Sequence, residues 1–141
     1  MRRISPSNSR NGSGCGTTQA NRGPLFGPNI WAPDVVGAGW LDNGGDSFTA
    51  AAPTTDVVYV SGSILTGTPI GAKFEWDVTI TQVAGSIKLE TDWVNSLGNV
   101  VTSISGVFTT EITLGVFTNR PLFRGASFQG TVKVNSVRRI L

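Results

Sequence analysis

The sequence lacks histidine entirely and has a single cysteine among its 141 residues. Without histidine there is no Ser-His or Cys-His nucleophile pair, no imidazole proton shuttle and no histidine-ligated zinc. Cys15 has no second cysteine for an intrachain disulfide, which fits maturation in a reducing compartment. We therefore expect a protein that is not an enzyme, with no catalytic residues, no metal ion and no cofactor.

Charged residues and long apolar runs are also scarce. Charged residues make up 14% of the chain, against roughly 25% in an average protein. No apolar stretch approaches the roughly 20 residues of a membrane span, and none follows Arg2 and Arg3 as it would in a signal peptide. We expect no membrane partner. The 18 glycines, together with many Ser, Thr and Asn residues, suit a β protein with many turns.

The charges that are present are segregated along the chain. Residues 1–33 contain four arginines and no acidic residue, whereas residues 34–111 contain all nine acidic residues and two lysines. Residues 112–141 contain five cationic residues and no acidic one. This pattern predicts contact between unlike surfaces, within one molecule or between copies. Direct nucleic-acid binding is not expected, because no aromatic residues are interleaved with the N-terminal arginines.

Short alternating segments predict β-strands from about residue 29 onward. In "AKFEWDVTIT" at 72–81 and "AGSIKLETDW" at 84–93, apolar and polar residues alternate with a period of two, and the close spacing predicts a hairpin. A change of phase predicts a β-bulge near Asn135 and Ser136. Further strands are predicted at 46–50, 56–61, 99–103, 107–110, 113–118 and 127–140.

No window of the sequence shows helical periodicity. A single sheet of alternating strands would leave its apolar face exposed to solvent, so a second layer must cover it. We therefore predict an all-β jelly roll or β-sandwich over residues 29–141, preceded by an extended basic arm over residues 1–28.

Two groups of acidic residues are candidate sites. Glu90 and Asp92 lie two residues apart, a separation at which paired carboxylates can act in glycoside hydrolysis, but the alternation favours plain surface charge. "LDNGGDSF" at 41–48 places Asp42, Asn43 and Asp46 as oxygen ligands for calcium. The spacing of a known calcium loop is absent, and a tight Asn-Gly turn is the favoured interpretation.

The four tryptophans divide into two pairs. Trp76 and Trp93 fall on the apolar faces of their predicted strands, which indicates core positions. Trp31 and Trp40 lie among Gly and Pro residues, where an exposed indole could stack on a sugar or anchor a partner. The alternative, favoured here, is that both cover the end of the sandwich.

The arm cannot fold by its own burial, because ordering it costs roughly 1–2 kcal/mol per residue. It is therefore expected to become ordered against an acidic surface on a neighbouring subunit or copy. Leu25 and Phe26 either fill a pocket in that partner or begin the domain core. The candidate partner-binding residues are Arg2, Arg3, Arg10, Arg22, Leu25 and Phe26.

"AGWLDNGGDSFTA" and the closing "ASFQGTVKVNSVRRI" resemble jelly-roll modules of tailed-phage virion proteins, which are similar to sandwich-type carbohydrate-binding modules. Such modules end in small-Gly-Thr-Ile/Val and Asp-Asn-Val-Ser-Val. Gly130, Thr131, Val132, Ser136 and Val137 match this ending, whereas Lys133 and Val134 replace its Asp-Asn. The resemblance covers roughly residues 37–139.

A lone jelly roll behind a basic arm resembles the capsid cement (decoration) proteins of tailed phages. The resemblance implies a structural protein, made in the host cytoplasm, that resides on the virion and binds the outer capsid surface. Its implied partners are the major capsid protein and neighbouring copies of itself in a homo-oligomer. The alternative is a carbohydrate-binding jelly-roll module on a phage virion or tail, with Trp31 and Trp40 as stacking residues.

Overall fold

The computed structural model describes residues 25–62, 64–65, 67–92, 98–113 and 119–141. These ranges contain no α-helix, and their strands confirm the predicted all-β sandwich of the jelly-roll type. The strands are β1 Phe26–Asn29, β2 Val35–Val36, β3 Leu41–Gly44, β4 Ser47–Thr54, β5 Val57–Tyr59, β6 Lys73–Glu90, β7 Val100–Thr102, β8 Gly106–Glu111 and β9 Leu122–Ile140.

Two long antiparallel strands, β6 and β9, run through both layers of the sandwich. They pair from Phe74 opposite Arg139 to Glu90 opposite Leu122. In the first layer the strand order is β8-β6-β9-β4-β3, with β1 beside the C-terminal end of β9. In the second layer the order is β7-β6-β9-β5-β2. The sandwich is therefore one continuous sheet that folds over on itself.

The hairpin predicted between residues 72–81 and 84–93 is wrong, because residues 73–90 form the single strand β6. Its register against β9 shifts between Gln82 and Ala84 and again between Ala84 and Ser86. Gly85 has φ +71°, and Ser127 on β9 has φ +52°. Bulges at this corner carry the strand from one layer to the other, as in orthogonal sandwiches. These bulges shift the alternation of apolar and polar residues along β6, and a turn would shift the sequence pattern in the same way.

The predicted bulge near Asn135 is confirmed. Asp77 pairs with Ser136 and Val78 pairs with Val134, which leaves Asn135 as the extra residue on β9. Its side-chain amide donates to Asp77 Oδ1 and to Thr79 Oγ1, both at 3.1 Å. The bulge keeps Val134 and Val137 in the core although their spacing is odd.

The core is built around Phe123, which is fully buried on the second-layer part of β9. Its ring centroid lies 5.8 Å from that of Trp31, 5.1 Å from that of Trp40 and 5.8 Å from that of Phe48. Phe48 is on β4 in the first layer, so this cluster joins the two layers. The buried apolar area supplies most of the driving force for folding.

The domain begins earlier than the sequence predicts. β1 pairs with β9 from Phe26 onward, so residues 26–28 belong to the sheet and not to the arm. The predicted strand at 113–118 falls largely outside the described residues, as do Trp93 and Cys15.

Candidate functional site

The N-terminal strand ties the start of the sandwich to the end of the chain. Phe26 pairs with Ile140, and the Leu141 amide donates to the Leu25 carbonyl at 2.8 Å. The Arg138 guanidinium lies 4.3 Å above the centre of the Phe26 ring and donates to Glu75 Oε1 at 3.2 Å. This cation–π contact and ion pair hold Phe26 against the two longest strands.

Leu25 and Phe26 have different surroundings at this edge. Phe26 is half-buried and begins the domain, whereas Leu25 remains 50% exposed beside Leu141, which is 69% exposed. Residues 1–24 join the sandwich here. Arg2, Arg3, Arg10 and Arg22 lie outside the described residues, so their assigned role stays a prediction.

Trp31 and Trp40 belong to the core and not to a stacking surface. They are 5% and 6% exposed. Trp40 Nε1 donates to the Asp56 carbonyl at 2.9 Å, and the Trp31 ring centroid lies 5.6 Å from that of Trp76. Neither indole has a free face for a sugar or a partner. The interpretation in which both cover the core is the one that agrees with the structure.

Glu90 and Asp92 are buried, so their assignment to surface charge is wrong. They are 1% and 0% exposed, and Thr91 between them is buried as well. Arg124 Nε donates to Glu90 Oε2 at 2.5 Å. Asp92 Oδ2 accepts hydrogen bonds from the backbone N–H and the hydroxyl of Thr113, both at 3.0 Å. Both faces of the chain are covered where β6 ends, which alternation alone does not reveal.

Removing the charge of Arg124 should destabilise the fold more than removing that of Arg138. Arg124→Met keeps the aliphatic stem but leaves the Glu90 carboxylate buried without its cation. We expect a loss of about 2 kcal/mol, below the full cost of breaking a buried pair because Arg124 is itself one-third exposed. Arg138→Met breaks a more exposed pair and should cost at most about 1 kcal/mol. Equal losses in urea unfolding would contradict this ranking.

The "LDNGGDSF" segment forms a hairpin between β3 and β4. Gly45 and Asp46 occupy the centre of its turn, with φ +60° and +63°. The turn therefore lies two residues later in the chain than the predicted Asn-Gly turn. Asp42 Oδ1 accepts from the Gly44 N–H, and the Asn43 amide donates to Thr49 Oγ1, both at 2.8 Å. Within the described ranges, no group of three or more acidic or Cys side chains is placed to hold a metal ion.

Asp34 is held at the surface by Ser61, two residues after the end of β5. The Ser61 hydroxyl and the Ser61 backbone N–H both donate to its carboxylate. These hydrogen bonds, the hydroxyl foremost, lower the pKa of Asp34 below its usual value. The link fixes the segment before β2 to the edge of the second layer.

The register also brings together a row of hydroxyls that sequence analysis missed. Thr131 on β9 pairs with Thr49 on β4 and with Thr81 on β6, and the Thr49 and Thr131 hydroxyls lie 3.0 Å apart. Alternation indicates that these side chains point outward, but only the strand order shows that they are neighbours. The outer face of the first layer is therefore polar and hydroxyl-rich.

No family model, no curated protein and no solved structure matches the chain. In the part of the chain that the structure describes, no helix has the length and apolar character needed to cross a membrane.

Proposed function

We propose that this chain is a non-enzymatic structural protein of a phage virion. It binds the outer surface of the capsid and stabilises contacts between major capsid subunits. Its partners are the major capsid protein and neighbouring copies of itself. The arginine-rich arm is the main contact, and the sandwich is the rigid body that the arm fastens to the shell.

The observation that carries this proposal is the way the arm joins the sandwich. Residue 25 continues directly into β1, which is hydrogen-bonded to β9. Phe26 is fixed beneath Arg138, and Arg138 is paired with Glu75 on β6. A load on a bound arm would therefore pass into the two strands that form both layers. Such anchorage suits an N-terminal segment that connects neighbouring capsid subunits.

The charges of the sandwich support a partner outside the molecule. Arg124 and Arg138 pair with Glu90 and Glu75, so part of the unlike-charge contact predicted from the sequence occurs within the fold. Seven of the nine acidic side chains accept hydrogen bonds from donors in the sandwich, namely Asp34, Asp42, Asp56, Glu75, Asp77, Glu90 and Asp92. Four further arginines on the arm match an acidic surface on another protein.

Neutralising the arm should abolish most of the binding to shells. The variant replaces Arg2, Arg3, Arg10 and Arg22 with Gln in the full chain. The probe is empty shells of the major capsid protein encoded in the same genome, and bound protein is measured by cosedimentation. Losing several charge-assisted hydrogen bonds should weaken binding at least tenfold, since each tenfold step corresponds to about 1.4 kcal/mol.

The matched control replaces the sandwich cations Lys73, Lys88 and Lys133 with Gln. It lowers the net charge by a similar amount and leaves the arm intact, so we expect less than a twofold change. Equal effects of the two variants would show that the arm contributes only through its net charge and makes no specific contact with the shell. No binding by the unmodified chain, or a genome without a major capsid protein, would contradict the proposed function.

The carbohydrate-binding alternative stays a prediction from resemblance. Trp31 and Trp40 were the residues expected to carry it, and both lie in the core. No observation on the described residues favours it over capsid binding.

A further inference from the structure

Two cations face each other across the strands of the second layer. Lys88 on β6 is the register partner of Arg124 on β9. Among the strand pairs of the described residues, this is the one position where two cations are direct partners. Their sequence neighbours Ile87, Leu89 and Phe123 are buried in the core. Because side chains alternate along a strand, both cations point to the outer face of the layer. Like charges in direct opposition destabilise a sheet, unless an anion lies between them.

The Glu90 carboxylate neutralises one of these cations and occupies one edge of its guanidinium. Arg124 Nε donates to Glu90 Oε2 at 2.5 Å, and Arg124 Nη2 lies 3.5 Å from Glu90 Oε1. A guanidinium carries five N–H groups in a planar fork, so the edge formed by Nη1 and Nη2 faces away from Glu90. Lys88 takes part in neither ion pair of the described residues. One carboxylate against two cations leaves an excess of one positive charge.

The undescribed residues cannot supply the missing anion, wherever they are placed. All nine acidic residues of the chain lie in the described ranges, and Glu90 is the one that forms an ion pair with this group. Residues 1–24 carry four arginines and no acidic residue, so the two cations would repel the arm. A half-buried cation is normally paired. The partner of Lys88 is therefore expected to come from outside the chain.

Valines flank the two cations on both sides. Val101 on β7 is the register partner of Lys88, and Val57 on β5 is the register partner of Arg124. The row across the layer therefore consists of two cations between two apolar side chains. Apolar neighbours reduce competition from water, which strengthens a hydrogen bond between a cation and an anion.

Small side chains lie beside the cations in the direction of the sandwich corner. Ser86 on β6 pairs with Ala126 on β9, two residues from Lys88 and Arg124 respectively, so all four side chains share the outer face. Neither Ser86 nor Ala126 is large enough to cover the cations. The Ser86 hydroxyl adds a further hydrogen-bond donor to this part of the surface.

We propose that Lys88, Arg124 and Ser86 bind a tetrahedral oxyanion, the chemistry shared by phosphate and sulfate groups. The free edge of the guanidinium can donate two parallel hydrogen bonds to two oxygens of such a group. The Lys88 ammonium and the Ser86 hydroxyl can donate to its other oxygens. These donors outnumber the two oxygens of a carboxylate and suit an anion with three or four oxygens.

The test is a titration of the full chain with inorganic phosphate and, separately, with inorganic sulfate. Backbone amide shifts are followed by nuclear magnetic resonance, and sodium chloride keeps the ionic strength constant. We expect saturable shifts at residues 86–88 and 124–126, with a dissociation constant of about 1–10 mM for at least one anion. Tighter binding of one of them identifies the group. Acetate, with two oxygens, should bind at least threefold more weakly.

Two variants assign the binding to this site. Lys88→Gln removes a charge-assisted hydrogen bond and should weaken binding at least fivefold. The control Lys133→Gln removes a cation of the first layer whose register partners are Ser47 and Thr79, and it should change binding less than twofold. Ser86→Ala removes one neutral donor and should weaken binding at least twofold.

A stability measurement shows whether Lys88→Gln acts through the fold. In buffer without phosphate or sulfate, the variant should unfold at the same urea concentration as the wild type or a higher one, because it removes repulsion from Arg124. A clearly lower concentration would contradict the unpaired state of Lys88. Shifts confined to residues 1–24, equal effects of the two lysine variants, or no saturable shift at residues 86–88 would overturn the proposal.

This site lies on the sandwich and not on the arm, and its test uses no capsid shells. Its failure would therefore leave the proposed function untouched, and a failure of shell binding would leave this site untouched.

Discussion

Phe123→Ala is expected to lower the free energy of unfolding by about 4 kcal/mol. The side chain is fully buried and contacts Trp31, Trp40 and Phe48. Its removal leaves a cavity between rings from both layers, and these three aromatic side chains cannot collapse easily into that space. Urea unfolding followed by tryptophan fluorescence measures the loss.

Two controls separate this effect from a general sensitivity to substitution. Phe123→Leu retains most of the volume and should cost about 1 kcal/mol. Leu41→Ala removes an apolar side chain that is 67% exposed on β3 and should change stability by less than about 0.5 kcal/mol. A Phe123→Ala loss as small as that of Leu41→Ala would show that the two layers do not meet at Phe123.

Gly85→Ala is expected to cost about 3 kcal/mol, because it acts on the corner of β6 in two ways. Gly85 has φ +71°, and a left-handed conformation costs an alanine about 1–2 kcal/mol. A Cβ at this position would also lie 2.1 Å from the Ser127 carbonyl oxygen. Because that atom is backbone, β6 and β9 must move apart at the corner that joins the layers.

Gly45→Ala is the matched control for the backbone contribution. Gly45 also has positive φ, at +60°, but a Cβ there would meet no atom within 4 Å. It should cost only the conformational part, about 1 kcal/mol. If both alanine variants lose the same stability, the close approach at Gly85 does not exist and β6 does not fold over β9 as described.

Alternation predicted which residues of the regular strands face the core. In the first half of β6, Phe74, Trp76, Val78 and Ile80 are buried as expected. The phase change near Asn135 correctly indicated a bulge because Val132, Val134 and Val137 leave room for one extra residue. These features are local, and local pattern is sufficient to predict them.

The path of the chain between layers could not be predicted in the same way. The phase change near Gly85 fits either a turn or a bulge, and only the pairing of β9 along both halves of β6 distinguishes them. The first five residues of β9 were missed because Leu122 and Phe123 are both buried, which breaks the alternation. Its partners, β5 and the end of β6, are far away in sequence.

The contacts of the candidate site also could not be predicted from local sequence pattern, because they join segments that are far apart in the chain. Sequence analysis placed Phe26 within the arm and left open whether it begins the domain core, because its contact with Arg138 depends on pairing between the two ends of the chain. Glu90 was assigned to the surface because its neighbours alternate, whereas chain segments remote in sequence cover it. Trp31 and Trp40 have Gly and Pro neighbours that suggest exposed loops, yet their rings fill the space between layers.

The most direct test of capsid binding is a cryo-electron microscopy map of shells incubated with the full chain. The shells are assembled from the major capsid protein of the same genome and carry no other added protein. We predict sandwich-shaped density on the outer surface at junctions between capsid subunits, with the arm in contact with at least two of them. Bare shells at saturating protein, or density that touches only one subunit, would contradict it.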